Sequence, residues 1–293
     1  MRNISKSKLA IIVSGTLILG SCVVCSVITG NKTPCVLAGY DSIALPGEDV
    51  TLTAKVETDD SFGVRGDVSD EAVEFVFNGV VVSAKTGPNG FAKAVAKAPM
   101  ADGFYPVQVR VKPDSSRSIT RSAQGSVLVI AKDAPIAVCD IDNTLADISA
   151  VDFLLSTNEK TPVMKGSVEA MTAISARCRV VYLTHRDDYF LIKTKKWLEL
   201  NKYPDGPVIF GDIPHTSTDP AVYKKKALSA IKAKWPNLLY GFGDKDSDLE
   251  AYSSLGMQSF IISEPLPVMI PGAKVQFVKD WHEIMQALSI GAK

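Results

Sequence analysis

The chain has 293 residues, 46% of them apolar, and its 32 basic side chains balance 32 acidic ones. That length allows two domains, the apolar share is that of an ordinary globular chain, and zero net charge argues against a general nucleic-acid binder, which carries a basic excess. Five cysteines without any Cys/His spacing of a zinc site argue against a disulfide framework, so the folded part has to rest on its cores.

Taken in chain order, the first element is a targeting segment over residues 1–30. Arg2, Lys6 and Lys8 form a basic end and Leu9 to Leu19 an apolar core, the build of a signal peptide. Leu19-Gly20-Ser21-Cys22 resembles the lipobox of bacterial lipoproteins, with Cys22 as the lipidated residue. An uncleaved span is the second reading, because Leu9 to Ile28 carries no charge and about 20 residues cross the hydrocarbon; an ordinary cleaved signal is the third. Each places the rest of the chain outside the cytoplasm, tethered to the membrane in the first two.

Residues 36–132 read as all-β. Val50–Val56 and Val73–Phe77 alternate apolar and polar, Asn78-Gly79 is a hairpin turn into Val80–Val82, and Gly87–Gly90 turns into Phe91–Val95. Gly103–Val111 and Ser126–Ala131 close a set of about seven strands, a β-sandwich pattern. Leu45-Pro46-Gly47-Glu48, Phe77-Asn78-Gly79 and Gly103-Phe104-Tyr105 resemble the immunoglobulin-like modules of bacterial surface proteins.

After Lys132–Pro135 the period changes, and residues 134–293 alternate strands with helices. Strands are expected at 136–140, 180–183, 208–210, 238–242 and 260–262, with helices at 165–176, 187–200, 221–234, 247–255 and 281–289. Such alternation makes an α/β domain with a parallel sheet covered on both faces, and ligands then sit at the carboxyl ends of the strands. Asp140 and Asp142 end the first of these strands. Residues i and i+2 share a strand face, so the pair suits a divalent cation and phosphoryl transfer. Gly243-Asp244 and Asp248 follow a second apolar strand and add carboxylates. Cys139 and Cys178 border strands and read as buried thiols.

Asp140-x-Asp142-x-Thr144, Thr184 at the end of Val180–Leu183, Tyr223-Lys224 at a helix start and Gly243-Asp244-x-x-x-Asp248 resemble, in that order, the haloacid dehalogenase-like phosphatases. The resemblance implies a Rossmann-like fold and a Mg²⁺-dependent phosphomonoester hydrolase. Asp140 would be the nucleophile that forms an aspartyl-phosphate. Asp142 would be the general acid and base. Asp140, Asp244 and Asp248, with the backbone carbonyl of Asp142, would hold Mg²⁺. Thr144, Thr184 and Lys224 would bind the phosphoryl oxygens. His185 and Arg186 are left between substrate contact and loop cap, and Asp246 reads as a cap or turn residue.

Only about 40 residues separate Asp140 from Thr184, and as many separate Thr184 from Lys224, the length of a helical crossover. No room is left for a cap domain, so the site should be open to bulky substrates. Tyr182–Arg186, Thr194–Leu198, Tyr203–Val208 and Phe242–Tyr252 are similar to the catalytic domain of lipin-type phosphatidate phosphatases, which implies a lipid phosphate. A surface acid phosphatase acting on nucleotides is the alternative within the enzymes. A surface binding protein using the β-sandwich is the alternative outside them.

Overall fold

The computed structural model describes residues 32–60, 65–211, 219–263 and 272–290; the expected leader, with Cys22 and Cys25, lies outside them. No helix among the described residues is long and apolar enough to cross a membrane. Residues from Lys32 onward form one compact unit.

The N-terminal part holds nine strands: β1 (Thr33–Gly39), β2 (Asp41–Ala44), β3 (Asp49–Thr58), β4 (Ala72–Phe77), β5 (Val80–Lys85), β6 (Phe91–Lys97), β7 (Gly103–Val111), β8 (Arg117–Ala123) and β9 (Gly125–Val129). They form a sheet ordered β6-β3-β1-β8 and a second ordered β2-β9-β7-β4-β5. Alternate residues of both, among them Leu37, Leu52, Phe75, Val107 and Val127, meet in one buried core. β1, β2 and β8 exceed the strands expected by position, and β1 begins before residue 36. β8 reads Arg-Ser-Ile-Thr-Arg-Ser-Ala and buries little of itself, so it carries no apolar alternation to read.

Six parallel strands follow: β10 (Ile136–Cys139), β11 (Arg179–Asp187), β12 (Val208–Gly211), β13 (Leu238–Gly243), β14 (Gln258–Ile262) and β15 (Lys274–Val278). Their order is β12-β11-β10-β13-β14-β15. The chain winds outward from β10 to β12 and then returns to β13 beside β10. This reversal opens a crevice at the carboxyl ends of β10 and β13, the place where such sheets bind ligands. β10 is buried throughout, the mark of a strand covered on both faces.

Helices α1 (Ala150–Leu155), α2 (Ser167–Ser175), α3 (Leu191–Leu200), α4 (Pro220–Lys234), α5 (Asp246–Ser254) and α6 (Trp281–Ala287) complete the domain. Three details differ from expectation. β11 runs on to Asp187, and a 3₁₀ turn over Asp188–Phe190 precedes α3, so the helix expected from residue 187 starts later. β15 is an additional edge strand, half exposed along its length. α1 was not expected, because it buries only Phe153 and so shows no apolar stripe; its one sequence signal is the cap, Ser149 accepting from the Asp152 amide.

The sandwich packs on the sheet domain through apolar and polar contacts. Leu128 and Ile130 share a buried cluster with Ile136, Val138, Leu228 and Trp235. Asp41 accepts from Ser126 Oγ at 2.7 Å, Lys195 Nζ at 2.6 Å and the Val208 amide at 2.9 Å. Lys55 and Tyr40 both reach Asp188, at 3.3 and 2.5 Å, and so hold the turn that follows the end of β11.

Candidate active site

Four segments converge at the crevice. β10 delivers Asp140, whose amide donates to the Phe242 carbonyl of β13 at 2.9 Å. The loop then turns through Asn143 in the left-handed region, at φ 54°, a conformation that asparagine tolerates better than most residues. β13 ends in Gly243, followed by Asp244, and Asp248 occupies the first turn of α5. α4 contributes Lys224, its fifth residue.

The carboxylates of Asp140, Asp244 and Asp248 offer oxygens within 4.8 Å of one another. Lys224 lies among them, its Nζ 2.9 Å from Asp140 Oδ1 and 2.6 Å from Asp248 Oδ1. All but Asp244 are almost fully buried. Burial disfavours the Lys224 charge, but Asp140 and Asp248 outweigh it and hold the ammonium above its ordinary value. The Asp248 carboxyl is raised, by burial first and by Asp140, against the opposing pull of Lys224. Its Oδ2 accepts from the amides of Asp244 and Lys245 at 3.4 and 3.3 Å, which closes the capping box of α5.

Three carboxylates against one ammonium leave two negative charges when all are ionised. Asp244 Oδ1 is buried without a hydrogen-bond partner among the described residues. An all-oxygen cluster with that excess and a bare ligand atom fits a hard divalent cation.

The Asp244 carboxyl is pushed from 3.8 up to about 7, by burial first and then by Asp140 and Asp248. The unfolded chain releases this proton near 3.8, so the folded state binds more protons between about pH 4 and about pH 7, and stability falls as pH rises through that window. A divalent cation competes with the same proton, so its affinity rises over the same range. Thermal unfolding of metal-free protein should show a falling Tm across the window, and Asp244→Asn should flatten it. A Tm that climbs through it would contradict this electrostatic picture.

Gly243 allows the close approach of β13 and α5. A Cβ at that position would lie 2.4 Å from both Cβ and Cγ of Asp248, a buried side chain with no room to retreat. Gly243→Ala should cost about 1–3 kcal/mol and weaken cation binding together with stability, as read by calorimetry with and without Mg²⁺.

Asp142 gives no carboxylate to the cluster. Its side chain turns to Arg186, whose Nε lies 3.0 and 3.2 Å from the two oxygens and whose second guanidinium nitrogen is 2.7 Å from Oδ1. The remaining nitrogen donates to Thr194 Oγ1 at 2.8 Å, and the guanidinium stacks on the Phe153 ring at 3.7 Å. Arg186 thus fixes the Asp142 carboxylate. Its amide also donates to Thr184 Oγ1 at 3.1 Å, which ties Thr184 to the same network. Thr144 is buried, its carbonyl accepting from Trp281 Nε1 at 2.7 Å, and its hydroxyl has no partner among the described residues. His185 packs on Tyr223, with ring centroids 5.4 Å apart. Asp246 opens α5 just after the cap residue Lys245. Cys139 and Cys178 are free and buried.

Residues 137–263 match the family model described as PITM 1-3, LNS2 domain. The matched segment covers less than half of the chain and runs from β10 to β14, with Asp140, Asp142, Thr144, Thr184, Lys224, Asp244 and Asp248 all inside it. No curated protein matches the chain at a significant level. Among solved structures, the chain is similar to one from the Pnkp1/Rnl/Hen1 RNA repair complex at 20% identity and TM-score 0.37, covering 44% of this chain and 42% of that one. It is also similar to a putative beta-phosphoglucomutase from Thermotoga maritima, at 16% identity and TM-score 0.39, covering 53% of this chain and 98% of that one.

Proposed function

We propose that the protein is a Mg²⁺-dependent phosphomonoester hydrolase that works through an aspartyl-phosphate on Asp140, with a lipid phosphate such as phosphatidate as its substrate. The observation that carries this reading is the buried grouping of Asp140, Asp244, Asp248 and Lys224 at the strand ends, within the segment matched by the LNS2 model. Mg²⁺ would be held by the three carboxylates and the Asp142 carbonyl, and would neutralise charge between phosphate and nucleophile.

In the first step an Asp140 oxygen bonds to phosphorus as the ester oxygen departs and takes a proton from Asp142. In the second, water gives a proton to Asp142 and attacks the same phosphorus, which restores the Asp140 carboxylate and releases phosphate. Lys224 and Thr184 would hold phosphoryl oxygens throughout. Arg186 holds the Asp142 carboxylate at 2.7 Å, and both proton transfers need that contact to open.

Between Asp140 and Thr184 the chain forms only α1, α2 and short connections. An open mouth of this kind suits a substrate presented at a surface. Residues 1–30 would tether the domain outside the cytoplasm, which the mass of the mature N-terminus tests. The substrate is tested by phosphate release from phosphatidate in mixed micelles against nucleoside monophosphates, with and without Mg²⁺. Faster release from phosphatidate is expected; a preference for nucleotides would leave a phosphatase and remove the lipid.

A further inference from the structure

Strand β11 carries Thr184 and Arg186 beyond the part of it that its neighbours hold. Its ladder to β10 ends at Tyr182, and its ladder to β12 breaks after Leu183 and resumes only at Asp187, opposite Gly211. Thr184, His185 and Arg186 thus have no ladder partner among the described residues. The Arg186 guanidinium is anchored on Asp142 and Thr194, but the backbone of the stretch has to be held from its far end, because backbone without ladder bonds opens easily.

Side chains of the sandwich hold that end. Asp188 is 8% exposed, and its Oδ2 accepts from the Tyr40 hydroxyl at 2.5 Å and from Lys55 Nζ at 3.3 Å. Lys55 is itself seated by Glu57 at 3.2 Å and lies 5.2 Å over the Phe91 ring, on which Tyr40 also packs. One residue further, Arg65 stacks on Tyr189 at 4.0 Å. The turn they grip is closed by Asp187, whose carboxylate accepts from the Tyr189 amide at 2.8 Å. Just before it, the Arg186 amide donates to Thr184 Oγ1 at 3.1 Å. Accepting there uses a lone pair of the hydroxyl and leaves its proton to donate elsewhere.

Leu128 and Ile130 already join the two domains through apolar packing. The side chains of Lys55 and Asp188 are only 12% and 7% exposed, and a pair that gives up its hydration to this degree is weak evidence of added stability. A charged hydrogen bond fixes direction as well as distance, which apolar contact does not.

We propose that Tyr40 and Lys55 are positioning residues for the phosphate site. Through Asp188 they set the end of β11, and the Arg186 amide then orients the Thr184 hydroxyl so that its proton serves a phosphoryl oxygen. The β-sandwich is then part of the catalytic unit and not an appended binding module. The role of Thr184 rests on the phosphatase reading above; the hold of the sandwich on β11 does not.

Two variants of the full chain test this: Lys55→Met, and the milder pair Tyr40→Phe with Asp188→Asn, which keeps the shape of both side chains. Calorimetry with Mg²⁺ alone should read the parent affinity in both, because the carboxylates stand at the ends of β10 and β13 and on α5. With Mg²⁺ present, inorganic phosphate should bind about tenfold more weakly, and kcat/KM for p-nitrophenyl phosphate should fall by a similar factor or more. Hydrogen exchange at the Arg186 and Tyr189 amides should be faster in both variants, while the amides of β13 keep their parent rates. Mg²⁺ and phosphate affinities that fall together would report lost folding alone and overturn the proposal. Parent exchange rates and parent phosphate affinity in the milder pair overturn it as well. If the parent protein hydrolyses no ester and binds no phosphate, faster exchange at Arg186 and Tyr189 keeps the hold on β11 while the catalytic reading fails. Unchanged exchange removes the hold, whatever the parent hydrolyses.

Discussion

Asp140→Asn should lower Mg²⁺-dependent phosphate release by about four orders of magnitude or more, while the protein stays folded. An amide cannot form the acyl phosphate, and loss of a nucleophile removes a covalent route rather than weakening one contact. The substitution keeps the shape of a side chain that is 4% exposed. It removes one of the two carboxylates paired with Lys224 and leaves Asp248 at 2.6 Å, so folding retains a counter-charge. Single-turnover assays with a chromogenic ester, beside a thermal melt, separate the two effects. Activity equal to that of the parent would discard the covalent mechanism, whatever the substrate.

Lys224→Met should have the largest effect on stability. Lys224 is 3% exposed and contacts both Asp140 and Asp248. Removing it leaves carboxylates buried against one another, and breaking a buried ion pair from one side costs about 3–5 kcal/mol. Two conditions should restore part of that loss. Mg²⁺ would supply the missing positive charge, and low pH would protonate the carboxylates, whose tendency to hold protons is raised by burial. The parent protein should gain less from either condition. Chemical denaturation near pH 5 and near pH 8, with and without Mg²⁺, reads the pattern. Unchanged stability would mean that the Lys224 charge is dispensable to the site.

Much of the α/β domain was legible because its sheet is parallel and covered on both faces. Strands such as Ile136–Cys139 are then uniformly apolar, and the residues that interrupt them stand out: Asp140, Thr184 and Asp244 each follow such a run. Among the elements that were missed, α1, β8 and β15 bury little, so period and composition carry no instruction for them, whereas β1 is buried from Cys35 to Gly39 as an unbroken run with no alternation to read. Lys224 could be named but not separated from Lys225 and Lys226 by sequence. Helical phase decides it, because Lys224 is buried while its two neighbours face outward.

The sequence alone determined which residues can do chemistry: a run of strands each ending in a carboxylate or hydroxyl, in an order that few folds share. Local pattern suffices there, since strand burial and side-chain alternation are set within a few residues. Only the tertiary structure decided how these groups face one another. It turned the Asp142 carboxylate to Arg186, 44 residues away, set three carboxylates around one ammonium, and brought Arg65 and Arg121 of the sandwich to one cavity with Leu154 of α1. Those arrangements depend on strand order and on the packing of two domains, and contacts between residues far apart in the chain leave no periodic trace in it.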